Sequence, residues 1–300
     1  MRSANLRGIA AMLVAVAAFA AMDALLKVLA ARYPPMQVSA LRGAASLPFV
    51  LAMVAIVGRW RGLRPVNVRL HVVRGLLGVV MIGGFVVALR TLSLADAYSI
   101  FFVAPLMVTA FAVPLLGEHV DWQRWLAIFT GLLGVFAMLR PSAGALGTFG
   151  AAAALMSAVA YALSAISVRF LTRTDTTQSM VWWFLVFLTV FCGALALPGW
   201  VAIRAEDWPS IVAIGAIGSV GQHFITEAFR HAPASVISPF EYTALLWGVG
   251  IDWAFWDVLP GARVYFGGGV VIAAGLFLIW KERRLHRELA ASIESPASVH

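Results

Sequence analysis

The sequence predicts an all-α integral membrane protein with ten transmembrane helices in two inverted five-helix repeats. Three observations predict it. Hydrophobic residues make up 62% of the chain against 12% charged, with a mean hydropathy of +0.90, outside the range of soluble domains. The apolar residues fall into ten runs, most of them about as long as a ~30 Å hydrocarbon core demands. The chain also resembles itself weakly when slid by about 140 residues, bringing Ala88-Leu89-Arg90 onto Ala228-Phe229-Arg230, Ala104 onto Ala244 and Leu106 onto Leu246; a slide of about 142 sets Gly8 on Gly150 and Lys27 on Arg169. A five-helix unit crosses the bilayer an odd number of times, so a second copy must insert upside down.

The first run, residues 8–30, follows Arg2 and Arg7 and contains Ala18-Phe19-Ala20, which imitates a signal-peptide cleavage site. The apolar stretch continues to Ala31, so it reads as a span. Pro34-Pro35 separate it from the second run, 36–57, and Gly62 and Pro65 precede the third, 72–90. That third run carries Gly75, Gly78, Gly83 and Gly84, small residues that let helix backbones approach closely in a bilayer. The fourth, 96–116, contains Pro105 and Pro114, each expected to kink a helix. The fifth is 124–140, followed by Pro141 and Gly144, and the sixth is 147–170. The seventh, 178–201, holds the lone Cys192, which has no cysteine partner for a disulfide or a metal. The eighth, 209–229, repeats the small-residue pattern with Gly215, Gly218 and Gly221. The ninth, 235–256, contains Pro239; Pro260-Gly261 then lead into the tenth, 263–281. The runs are continuously apolar instead of alternating with period two, so they are helices and not barrel strands. The implied organisation is a first repeat at 1–143, a second at 144–282 and a cytoplasmic tail at 283–300.

With the amino terminus inside, 15 Lys and Arg residues fall on the inner side and 6 on the outer, with Arg42 left in the membrane. Both termini are therefore expected in the cytoplasm of a bacterial cell, with the protein multi-pass in the inner membrane. The net charge of +8 sits in short connectors and the tail and forms no stripe interleaved with aromatics, which argues against nucleic acid as a partner. The sequence has no HExxH, GxSxG, metal-ligand cluster or nucleotide-binding loop, so no enzyme activity and no cofactor are implied.

Polar residues expected deep in the membrane are few, and each is costly unless it faces a cavity or a partner. On the outer side these are Asp23, Lys27, Arg42 and Tyr98; in the inner half, Gln222, His223, Glu227, Glu241 and Tyr242. Asp23 and Lys27 stand at i and i+4 and can pair. Counting ~1.5 Å per residue places Asp23 about 11 Å, Arg42 about 9 Å and Lys27 about 5 Å below the outer surface, so Arg42 is expected to reach Asp23. Glu227 is expected to pair with Arg230. Glu241 has no local partner, and His223 titrates near neutrality, so these two are candidates for proton or ion coupling. Phe101, Phe102, Tyr161, Trp182, Trp183 and Trp247 are candidate aromatic walls for a flat or amphipathic substrate, or interface anchors. Glu118, ahead of Asp121 and the fifth run, is expected to be structural, offsetting the amino-terminal dipole of that helix.

The stretch from Ala88 to Pro141 is similar to EamA-type members of the drug/metabolite transporter superfamily. The features that carry the resemblance are small residues from Ala95 to Ser99, Pro105, Leu116-Gly117-Glu118, and the following Gly131-Leu132-Leu133-Gly134-Val135. Met22-Asp23-Ala24-Leu25-Leu26-Lys27, Tyr33-Pro34 and Leu41-Arg42-Gly43 extend it. In the second half the Leu-Gly-Glu motif is replaced by Phe255-Trp256-Asp257. The resemblance implies a transporter of a small organic metabolite such as an amino acid, a vitamin or nucleoside-like compound or an amine. Its partners would be that substrate, the bilayer, and protons or a counter-transported metabolite.

Overall fold

The computed structural model describes residues 2–58, 60–91, 100–139, 149–247, 250 and 262–294, and every regular element among them is helical. The helices are α1 (Arg2–Ala30), α2 (Pro35–Val57), α3 (Val68–Thr91), α4 (Ala104–Leu116), α5 (Trp122–Leu139), α6 (Phe149–Leu171), α7 (Thr177–Ala196), α8 (Trp208–His231), the single turn α9 (Ala234–Ile237) and α10 (Ala262–Glu294). Among the described residues six segments are long and apolar enough to cross a membrane: Ala4–Ala30, Pro35–Ile56, Val68–Phe85, Phe149–Leu171, Thr177–Gly199 and Ala205–His231. Two shorter apolar helices, Ala104–Leu116 and Tyr265–Phe277, accompany them. The molecule is a multi-pass membrane protein.

Local signals set the helix ends. Pro35 starts α2 where its missing N–H costs nothing, and Gly58 ends it with φ 68°, a left-handed position that suits glycine. Thr176 caps α7 by accepting from the Ser179 N–H at 3.1 Å. Pro105 lies in the first turn of α4 and not in mid-helix, so it ends the preceding turn instead of kinking a continuous rod. The ninth run departs furthest from the expected continuous helix. After α9 the chain tightens into a buried 3₁₀ segment, Ser238–Thr243, with Pro239 in its first turn, and returns to α-helix at 244–247.

The helices pack in a regular scheme: α1 against α8, α3 against α6, α2 against α7, and α5 against α10. In addition α2 meets α8, α3 meets α7, α4 meets α6, and α9 with its 3₁₀ extension meets α1. Glycine permits the closest crossing, since a Cβ on Gly215 of α8 would sit 2.5 Å from the Ala45 carbonyl carbon of α2. On α3, Gly75 meets Phe187 and Gly78 meets Phe184, both on α7. The largest buried cluster joins α1, α4, α6, α8 and the ninth segment through Met12, Val108, Ile166, Phe229 and Phe240.

Polar networks tie the connectors at both ends. At the end assigned outside by charge, the α1–α2 connector grips the α7–α8 connector. Asp207 accepts from Tyr33 at 2.6 Å and Arg32 at 2.5 Å, the Arg204 N–H donates to the Tyr33 hydroxyl at 2.9 Å, and Gln37 exchanges two bonds with the Val201 backbone. At the opposite end the α6–α7 connector grips the α2–α3 connector. Asp175 accepts from the Val66 N–H at 2.9 Å, His71 at 3.0 Å and Thr174 at 2.6 Å, and the Trp183 indole N–H donates to the Leu63 carbonyl at 2.9 Å. Burial raises the Asp175 carboxyl, yet the bonds from Thr174, His71 and Val66 outweigh it and hold the group below the usual carboxylate range.

Candidate functional site

The site forms where two helices are interrupted side by side. One interruption is the turn at Phe102–Val103 ahead of α4; the other is the 3₁₀ segment Ser238–Thr243. They are tied by a buried bond between the Thr109 and Ser238 hydroxyls at 2.9 Å, and the Phe102 and Tyr242 rings meet with centroids 6.1 Å apart. Gly131 on α5 makes room for the Tyr242 ring, because a Cβ there would lie 2.6 Å from it.

Glu241 stands on the 3₁₀ segment and is 8% exposed. Tyr161 of α6 interacts with its carboxyl group, while Oε1 has no hydrogen-bond partner among the described residues. The Tyr242 hydroxyl, beside it in sequence, is also buried without a partner among the described residues. A run of rings adjoins this carboxylate: Tyr161 lies 5.8 Å from Phe101, which is 5.3 Å from Phe85 and 6.5 Å from Phe102. Chemically this is a buried acid with spare acceptor capacity beside an aromatic wall, able to take a proton or a cationic group and a flat apolar surface.

Five residues picked from the sequence therefore converge: Phe101, Phe102, Tyr161, Glu241 and Tyr242. Thr109, Ser238 and Phe85 were missed. The two hydroxyls sit in apolar runs and could have been noticed as polar exceptions, whereas nothing marks Phe85. Asp23 stands on α1 and Arg42 on α2, but the expected contact pair is absent among the described residues; the Arg42 guanidinium instead lies 5.5 Å over the Phe19 ring. The Lys27 side chain and all of Tyr98 lie outside the described residues.

His223 is half-buried and edge-on to Phe224, Gln222 is buried one residue before it, and no described contact joins either to Glu241. Trp182 packs with Leu185 and Val181, Trp183 anchors a connector, and Trp247 is exposed, so none of the three joins the aromatic wall. Glu227 binds the Thr177 hydroxyl and pairs with His231 at 3.2 Å; Arg230 goes to Thr177 instead. The reason is helical register, since His231 stands one turn on from Glu227 and Arg230 points toward α7. Glu118 caps a different helix from the expected one. Its carboxylate accepts from the Ala234 N–H at 2.9 Å and from the Ser235 N–H and hydroxyl at 3.1 and 2.8 Å, closing the start of α9, with Arg169 at 3.8 Å. Gly117, with φ 68°, turns the chain after α4 so that Glu118 points across the molecule and not along its own connector.

The model of the EamA-like transporter family matches this chain twice, over residues 6–140 and 148–280. The chain belongs to the EamA-like transporter family. Among curated members of comparable length it is 26% identical to the pseudopaline exporter CntI of Pseudomonas aeruginosa, covering 87% of this chain and 91% of that one. It is 26% identical to a riboflavin transporter of Vibrio cholerae, with 94% and 96% covered. It is 24% identical to an S-adenosylmethionine uptake transporter of Rickettsia prowazekii, with 93% and 94% covered. A solved crystal structure superposes with a TM-score of 0.79 at 19% identity, covering 94% of this chain and 98% of that one, which places the EamA-like chain in a known fold. The junction between the two family matches falls at 141–147, so Glu118 and Ala234, and likewise Tyr161 and Phe101, belong to different matched halves.

Proposed function

We propose that this EamA-like protein is a secondary transporter that carries a small organic metabolite across the bacterial inner membrane by alternating access. Its two five-helix repeats, 1–143 and 144–282, are inverted relative to each other, and both termini are cytoplasmic. The packing scheme supports the repeat. Shifting every helix by five exchanges α1–α8 with α3–α6 and α2–α8 with α3–α7, and returns α2–α7 and α5–α10 to themselves. Gly75 and Gly78 on α3 and Gly215 and Gly218 on α8 fall on each other at the slide that aligns the halves, and each pair faces a neighbouring helix. The two interrupted helices occupy corresponding places in the two halves, as expected where a substrate site forms at a repeat interface.

The observation that carries the reading is Glu241, a buried carboxyl group whose Oε1 has no partner among the described residues, on a 3₁₀ segment where two matched halves meet. A group held this way is poised for a proton or a cationic substrate group, with the Phe101, Phe102, Tyr161 and Tyr242 rings taking the apolar body. The pseudopaline, riboflavin and S-adenosylmethionine transporters among its relatives are in keeping with such a cargo. Proteoliposomes containing the purified protein, challenged with a pooled metabolite library at several pH values, should show saturable flux of at least one component. Glu241→Gln should reduce that flux and flatten its pH dependence while the protein still elutes as a folded species. His223→Ala, lacking a described contact to the carboxylate, should retain it. Saturable, pH-dependent flux in Glu241→Gln equal to wild type would remove the carboxylate from the mechanism, and no flux from the wild type would defeat the transporter reading.

A further inference from the structure

Asp23 on α1 and Arg42 on α2 are two further membrane charges that the Glu241 site does not use. On α1 the outward stripe runs through Val14 and Val28, 43% and 42% exposed. At about 100° per residue Asp23 lies half a turn around from Val14, on the face of buried Met12 and Val16. Its side chain is nevertheless exposed on that inward-turned face. Arg42 shares a face with buried Val38 and Ser46 and turns away from exposed Ala44 and Pro48. Behind the two, α8 closes the wall, with Gly221 against the Phe19 ring and Gly218 against Met22.

Neither charge forms a side-chain hydrogen bond or an ion pair within 4.0 Å among the described residues. This differs from the charge pair at the outer connector, where Arg32 and Asp207 close to 2.5 Å. A pair retained only for the fold would be expected to close in the same way, because open charges inside a membrane protein are costly. We infer that Asp23 and Arg42 form a ligand station distinct from Glu241, taking a zwitterionic substrate head with its ammonium on Asp23 and its carboxylate on the Arg42 guanidinium. The guanidinium fork suits a carboxylate, and its stacking on Phe19 holds the plane in place. The inference rests on the transporter reading and adds the substrate class: an ammonium and a carboxylate close together, as on an α-amino acid.

The test compares three probes on the purified full chain in lipid nanodiscs by titration calorimetry: L-phenylalanine, phenethylamine, which lacks the carboxylate, and 3-phenylpropionate, which lacks the ammonium. Wild type should bind the zwitterion about tenfold or more tightly than either analogue. Arg42→Gln should abolish the preference over phenethylamine, and Asp23→Asn the preference over 3-phenylpropionate. Wild-type binding without preference, no binding of the zwitterion, or preferences that survive both substitutions overturns the station. If a variant does not fold, the three-probe comparison on wild type decides alone. Failure here with pooled-library flux intact removes the station and leaves the transporter; absence of any flux removes the transporter itself.

Discussion

Asp175 and Glu241 are both buried carboxylates, and the chain surrounds them in opposite ways. Asp175, in the connector between α6 and α7, receives a backbone N–H, a histidine and a hydroxyl, while Glu241, on the 3₁₀ segment, keeps Oε1 unpartnered among the described residues. Glu118 and Asp207 follow the Asp175 pattern, each joining segments far apart in sequence. The carboxylates near the helix ends join segments far apart in sequence, whereas Glu241 in the interior keeps an oxygen without a partner among the described residues.

That contrast can be broken by measuring stability and transport separately. The largest expected loss is from Asp175→Ala, which strands the Val66 N–H and His71 in a buried place. About 3 kcal/mol or more of destabilisation is expected, seen as a fall in detergent melting temperature, with little folded protein recovered. Asp175→Asn refines the same prediction through pH. The native carboxyl titrates below its unfolded value of about 3.9, so the stability it contributes is complete above that value and is lost as pH falls through the lower folded one. The melting-temperature gap between wild type and Asp175→Asn should narrow as pH falls below about 4, where the carboxyl takes up its proton; a gap that stays constant or widens through that range contradicts the assignment.

Glu118→Ala comes next, at about 1–2 kcal/mol, because it uncaps α9 and releases the link between the two family-matched halves. Tyr33→Phe should cost about 1 kcal/mol by deleting the hydroxyl that joins Asp207 to the Arg204 backbone. Glu241→Gln should be the mildest, within about 1 kcal/mol of wild type, since the amide keeps the shape of the carboxyl group. If Glu241→Gln destabilises as strongly as Asp175→Ala, the division between end and interior carboxylates does not hold.

The apolar runs located α1, α2, α6, α7 and α8 closely, because a span without water must satisfy its backbone within one helix and its side chains must be apolar throughout. The run at 235–256 was read as one rod, and Pro239 was expected at most to kink it. Whether a proline kinks or unwinds depends on what can accept and donate around it, here Thr109 from α4 and the packing of Tyr242 on Gly131. Glu241 could be picked from sequence alone because nothing within one turn could pair with it. Glu227 could be picked but not paired correctly, since His231 and Arg230 both lie within helical reach and the position of α7 chooses between them.

By itself the sequence determined the membrane class, the helical character and the short set of interior polar residues, because each follows from the solvation of a residue and its near neighbours in hydrocarbon. The tertiary structure decided which of those residues are satisfied. Glu118 finds its partners 116 and 117 residues away and Asp175 binds His71 across 104, distances over which no local pattern carries information. Only when the helices are packed does it become visible that Glu241 has an oxygen without a partner and that Asp23 and Arg42 stand apart.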